Sequence, residues 1–133
     1  MGMVGCAGHL STLKMGSNET TAQIFPVSAE MADRLVVTAL TRKCPDNLIS
    51  RVEYPNKGYW VTIRFALDTH RIVVFYIPAK GRNETGEIVD GFVFEVAHQG
   101  TMIRGIKYAN DIFESLIEDA TRVAKPIPFV GYQ

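Results

Sequence analysis

Tyr59–Ile77, YWVTIRFALDTHRIVVFYI, is the stretch whose reading decides the fold. Val61, Ile63 and Phe65 alternate with Thr62 and Arg64, the two-residue period of a strand with one buried face. Leu67-Asp68-Thr69-His70 interrupts the apolar pattern. Arg71 to Ile77 resumes it with Ile72, Val73, Val74, Phe75, Tyr76 and Ile77, a density suited to a strand in the middle of a sheet. The stretch predicts a hairpin at the centre of a core.

Upstream, Leu48 to Tyr54 sets Leu48, Ser50, Val52 and Tyr54 against Ile49, Arg51 and Glu53. Pro55-Asn56-Lys57-Gly58 carries turn chemistry, so this segment is expected to pair with the strand that follows it. Gln23 to Val27 reads as a short edge strand, since Pro26 needs no ladder donor at an edge. Ser28 is a suitable N-cap, with Glu30 and Asp33 in the first turn. Met31, Leu35, Val36, Ala39 and Leu40 form one stripe, predicting a helix from Ser28 to Lys43 that Pro45 stops.

Downstream, Pro78 to Gly86 is a polar loop rich in breakers. Glu87 to Ala97 supplies a last strand, with Asp90-Gly91 marking a bulge. From Ile103 to Ala124 the period becomes 3.6, with Ile106, Ala109, Phe113, Leu116, Ile117, Ala120 and Val123 on the stripe and Asp119 away from it. Pro126 and Pro128 end this helix. The expected class is α+β: a two-layer sandwich with a four-stranded antiparallel meander flanked in sequence by two helices, α-β-β-β-β-α. Residues 22–125 would form one domain, preceded by a tether and followed by a tail at 126–133.

Composition agrees with a single core. The chain has 133 residues, 47% of them hydrophobic, enough to offset the entropy of ordering. Lys plus Arg equals Asp plus Glu at 14 each, so no net field attracts nucleic acid. No run of about 18 apolar residues encodes a membrane-spanning helix.

The two cysteines, Cys6 and Cys44, have neither framework nor metal-ligand spacing. Cys44 follows the first helical pattern in Lys43-Cys44-Pro45, where a helix C-terminus disfavours a thiolate, so a half-buried inert thiol is expected there. Cys6 lies in Met3-Val4-Gly5-Cys6-Ala7-Gly8. This hexapeptide resembles the lipobox of bacterial lipoproteins, with Met3 where leucine is commonest. The resemblance implies cleavage before Cys6 and lipid attachment to its thiol, with 1–5 as the stub of a signal peptide. It places the protein in the bacterial cell envelope, on the outer membrane facing the periplasm, where the domain would bind another envelope component, a protein partner first, with peptidoglycan or a lipid also compatible. Gly8 to Thr21 has no apolar period and reads as a tether of about 20 Å end to end.

No cofactor or metal site is expected. His9, His70 and His98 have no ligand spacing, and His70 in the turn and His98 at a strand end are expected to be solvated. Glu84, Glu87 and Asp90 read as a solvated loop. Gly81 to Gly86 lacks the signature of a phosphate cradle, and the sequons at Asn18 and Asn83 read as loop chemistry. Tyr54, Tyr59, Trp60 and Arg64 surround the first hairpin and form the expected recognition surface. Two alternatives stand beside it: a cytosolic enzyme or ligand-binding domain with Arg64, His70 and Asp90 around a pocket between helices and sheet, and an assembly subunit pairing through the edge 48–54.

Overall fold

The hairpin expected from Tyr59–Ile77 forms the middle of the sheet in the computed structural model, which describes residues 11–13, 23–53, 57–65, 68–99 and 103–133. In chain order the described elements are β1 (Ser11–Leu13), β2 (Gln23–Ile24), α1 (Ala29–Lys43), β3 (Ile49–Val52), β4 (Lys57–Phe65), β5 (Asp68–Arg82), β6 (Ile88–Gln99), α2 (Ile103–Val123) and β7 (Ile127–Tyr132). All strand pairs are antiparallel, and the main order is β1-β6-β5-β4-β3. The class is therefore α+β, as expected. The four-stranded meander is present as β3-β4-β5-β6 but is not the whole sheet: among the described residues the sheet has seven strands, because β1, β2 and β7 join it.

The first helix begins where its capping chemistry places it. Ser28 Oγ accepts the Met31 amide at 3.1 Å, and the Cys44 amide donates to the Leu40 carbonyl at 2.8 Å, closing the other end. Its buried stripe, Ala32, Leu35, Val36, Ala39 and Leu40, packs with Ala109, Ile112, Phe113, Leu116 and Ala120 of α2 onto Val61, Ile63, Ile72, Val74, Phe94 and Val96 of the sheet. Alternation along β4, β5 and β6 thus turns one face toward both helices.

The two helices are also tied to each other. Tyr108 Oη donates to the Lys43 carbonyl at 2.7 Å, and Arg42 reaches Ser115 Oγ at 2.7 Å and Asp119 Oδ2 at 2.9 Å. Arg122 takes the other Asp119 oxygen at 2.9 Å. Asp119, expected away from the stripe, is accordingly buried, because two guanidinium groups satisfy it. Val123, expected on the stripe, is exposed at the end of the helix.

The long strand β5 changes neighbours along its length. On one side β6 accompanies it from Arg71 to Arg82; on the other, β4 pairs with 68–76 and β7 with 79–81. Pro78 sits between the two. Its carbonyl accepts the Gln133 amide at 3.2 Å, so its ring nitrogen faces the same edge, at the one break where no donor is needed.

Beyond this break the strands close on themselves. Strand β7 pairs with β2 at Gln23–Pro128 and Ile24–Ile127, and Phe25 exchanges backbone hydrogen bonds of 2.9 and 3.0 Å with Phe92 of β6. Strands β5, β6, β2 and β7 therefore form a small ring. Two glycines permit its tight radius: a Cβ on Gly91 would lie 2.5 Å from the Phe25 carbonyl oxygen, and one on Gly81 would lie 2.7 Å from the Ile127 side chain.

Several expectations change with this ring. The tail at 126–133 contains β7, and the edge strand at 23–27 is reduced to β2 and the Phe25 bridge. The tether at 8–21 includes β1, which pairs with 96–98 of β6. Pairing of β5 with β6 runs unbroken through Ala79–Gly91, so the bulge expected at Asp90-Gly91 is absent there, and the shift in register falls instead between Lys80 and Gly81 against β7.

Candidate functional site

The second turn of α1, not the first as expected, places Asp33 over the helix-facing side of the sheet; Glu30 alone is the acidic residue of the first turn. Strands β4 and β5 bring Tyr59 and Tyr76 to the same point, and β3 supplies Arg51. Tyr76 Oη donates to Asp33 Oδ1 at 2.7 Å, Tyr59 Oη lies 2.8 and 2.9 Å from the two carboxylate oxygens, and Arg51 Nη1 is 3.2 Å from Oδ1. Arg51 also bonds to Tyr59 Oη and Glu53, and its guanidinium lies 5.2 Å from the centre of the Tyr59 ring.

The charges in this cluster are fixed by their neighbours. Burial alone pushes the Asp33 carboxyl up, but hydrogen bonds from Tyr76 and Tyr59 and the charge of Arg51 together outweigh it and hold the group below its ordinary value. Burial and the same hydrogen bond push the Tyr76 phenol up to about 12, and burial with Asp33 raises Tyr59 as well. Near neutrality Asp33 stays ionised and both phenols stay protonated. General acid–base work favours a group that titrates near the working pH, and the shifts in this cluster run away from it.

Beside the cluster a pocket of about 450 Å³ opens between the head of α1 and the sheet. Glu30 and Asp33 of α1, Arg51, Glu53 and Lys57, and Tyr76, Pro78 and Phe92 of β5 and β6 line it. Tyr76 and Phe92 meet edge to face at 5.7 Å. A larger groove of about 750 Å³ lies between the loop at 82–85 and 125–130. Of its charged groups, Lys125 and Glu84 pair at 2.5 Å and Arg82 donates to the Gly86 carbonyl at 2.9 Å, and the rest of the wall is mainly apolar.

The residues expected to form one recognition surface are divided by the pleat of the sheet. Tyr59 faces the helices and belongs to the Asp33 cluster. Trp60 and Arg64 lie on the opposite face with Thr62, Arg71, Val73, Phe75, Glu95 and Ala97, as the pairings Trp60–Val73–Ala97 and Thr62–Arg71 require. There Arg71 stacks over the Trp60 ring at 4.2 Å. Thr62, Arg64 and Arg71 are exposed, Trp60 and Phe75 half-buried, and Val73 and Ala97 buried. Tyr54 and Cys6 lie outside the described residues.

Arg64, His70 and Asp90 do not converge. Arg64 and Asp90 are exposed at distant parts of the sheet, whereas His70 is fully buried on the helix side. The expected solvation of His70 and His98 is overturned for a plain reason: β5 begins at Asp68, which puts His70 inside a strand rather than in a turn. His70 Nε2 and His98 Nδ1 are 3.2 Å apart, the rings nearly parallel with centres 5.2 Å apart. Cys44 is fully buried rather than half-buried, and burial pushes its thiol up to about 11, far from the thiolate a nucleophile needs.

The edge at 48–54 is realised as β3, the last strand in the main order. Leu48 is 84% exposed beside it, yet the strand is only four residues long and Arg51 and Glu53 are exposed near its end, features that blunt an edge. Among the described residues no group of three or more His, Cys, Asp or Glu could hold a metal ion. Among them too, no helix is long and apolar enough to cross a membrane.

Sequence reasoning missed Asp33, Arg51, Tyr76 and Phe92 as neighbours, because they come from four elements with no common spacing. One signal was present: Asp33 lies four residues after Ala29 and three before Val36, at the margin of the apolar stripe of α1, too close to the sheet for a fully solvated carboxylate. Set against family models, curated proteins and solved structures, the chain matches none.

Proposed function

We propose that this chain is a non-enzymatic lipoprotein of the bacterial cell envelope, anchored through Cys6 at the outer membrane and binding a protein partner in the periplasm with its α+β domain. The lipid anchor rests on Met3-Val4-Gly5-Cys6 and on the small residues that follow. The binding role rests on the sheet face opposite the helices, where the Arg71 guanidinium stacks on the Trp60 ring at 4.2 Å, flanked by exposed Thr62 and Arg64. Trp and Arg together are the residue types that dominate binding energy at protein interfaces. A non-catalytic role is supported by the Asp33 cluster and by Cys44, whose titrations are driven away from neutrality in both directions.

Two measurements test the reading. Mass spectrometry of the full-length chain extracted from bacterial membranes is expected to find acyl chains on Cys6; an unmodified thiol on soluble protein overturns the anchor. A photo-crosslinking residue at Thr62 is expected to capture one envelope protein in living cells, and one at Thr121 on the outer side of α2 to capture none. Equal labelling from both positions, or none from Thr62, overturns the sheet face as the binding surface.

A further inference from the structure

The pocket at the head of α1 plays no part in the sheet-face reading, and its chemistry is specific. Asp33 is engaged by Tyr59, Tyr76 and Arg51, and Arg51 also by Glu53. The side chains of Glu30 and Lys57 make no hydrogen bond or ion pair among the described residues. One is an anion on the helix and the other a cation on the sheet, and both line the same cavity of about 450 Å³. Lys57 is the register partner of Tyr76, so its side chain leaves the sheet on the pocket side. Between the two charges the sheet side of the cavity is apolar, made by Pro78, Phe92 and the ring of Tyr76.

Both charges are exposed in the free protein, and a ligand that covered them while carrying a single charge would strip water from the other ion without answering it, which is costly. A neutral one would leave both unanswered. A short zwitterion satisfies each wall at once, and the cavity volume falls within the range of roughly 300–1,000 Å³ typical of small-molecule sites. We propose that this pocket binds a short peptide with free termini, its ammonium group at Glu30, its carboxylate at Lys57 and an apolar side chain against Phe92 and Tyr76.

The test uses the folded chain labelled with nitrogen-15 and the dipeptide alanyl-phenylalanine, together with its N-acetylated and C-amidated forms. Amide shifts are expected to saturate with the free dipeptide at Glu30, Asp33, Lys57 and Phe92, and not at Thr62 or Arg71. Each cap is expected to weaken binding by about tenfold or more, the loss that goes with one charge-assisted hydrogen bond. Glu30→Gln should remove the preference for the free amine while keeping that for the free acid, and Lys57→Gln should do the reverse. Both residues are exposed and outside the core, so the variants are expected to fold, which thermal melting verifies. Absence of saturable shifts, equal affinity for capped and free peptide, or unchanged preferences in the two variants each overturn the assignment. Because these shifts and those at Thr62 and Arg71 are read separately, the result does not depend on the sheet-face reading.

Discussion

Strand β5 has two lives. Through 68–76 it runs between β4 and β6 in an open sheet whose one face is covered by both helices, and stability comes from alternating side chains driven into a shared apolar layer. Beyond Pro78 the same strand is one wall of a ring with β6, β2 and β7, where glycines let backbones approach and Ile24 and Ile127 fill the space they leave. The first half is held by large side chains spread over an area and can yield locally. The second is held by fit at a few points, so small changes there should cost more than their size suggests.

Phe25→Ala should have the largest effect. Phe25 is fully buried, its ring lies 5.6 Å from that of Phe94, and its backbone closes the ring to Phe92. A loss of about 3–5 kcal/mol in urea unfolding is expected for a buried Phe→Ala change; a loss under 1 kcal/mol would mean that β2 is dispensable.

Gly91→Ala comes next, at about 1–3 kcal/mol, the usual cost of overpacking, since the new methyl group meets the Phe25 carbonyl. Gly131→Ala in β7 is the control. Nothing lies within 4 Å of its Cβ position, so its melting temperature should stay at the wild-type value. If the two variants behaved alike, the close approach in the ring would be refuted.

Asp33→Asn tests the region where the two halves meet, since Tyr76 ends the open half and Pro78 follows it. Losing an ionised acceptor for two phenols and a guanidinium should cost about 1–2 kcal/mol at pH 7. The sign of the pH dependence follows from the direction of the shift. The folded-state value of Asp33 is depressed below 3.8, so its contribution is complete above the unfolded value and fades as pH falls through the folded one. Wild type and variant should therefore converge in acid, and a gap that persisted at low pH would assign the loss to packing instead.

Lys125→Ala should have the smallest effect. It removes the 2.5 Å pair with Glu84 at the rim of the ring, but both side chains are almost fully exposed. No measurable change in thermal midpoint is expected at physiological salt.

The open half was legible because its code is periodic. Val61, Ile63, Ile72 and Val74 announce a buried face without any knowledge of tertiary contacts, and Ser28 announces a helix start that the Met31 hydrogen bond realises. The ring was not, for the opposite reason. Gly81 and Gly91 carry no side chain to pattern, and in a sequence they resemble loop residues; Pro126 and Pro128 likewise look like the end of structure, although Pro128 is a partner of Gln23. His70 was misplaced through the same bias, since a polar residue after Asp68-Thr69 resembles a turn until His98 supplies a neighbour. Among the expected recognition residues, the aromatic types were visible but the pleat separated Tyr59 from Trp60, which adjacent numbers conceal. The Asp33 cluster depends on four elements meeting, and no local pattern records such a meeting.

The imino acid at 78 has a further effect. Because it interrupts the donor series along one margin of β5, neither β4 nor β7 can lengthen at the other's expense, and each zips to a fixed stopping place. The two stretches are expected to open as separate units that share a single strand, and amide exchange that showed one common opening on both sides of residue 78 would refute this.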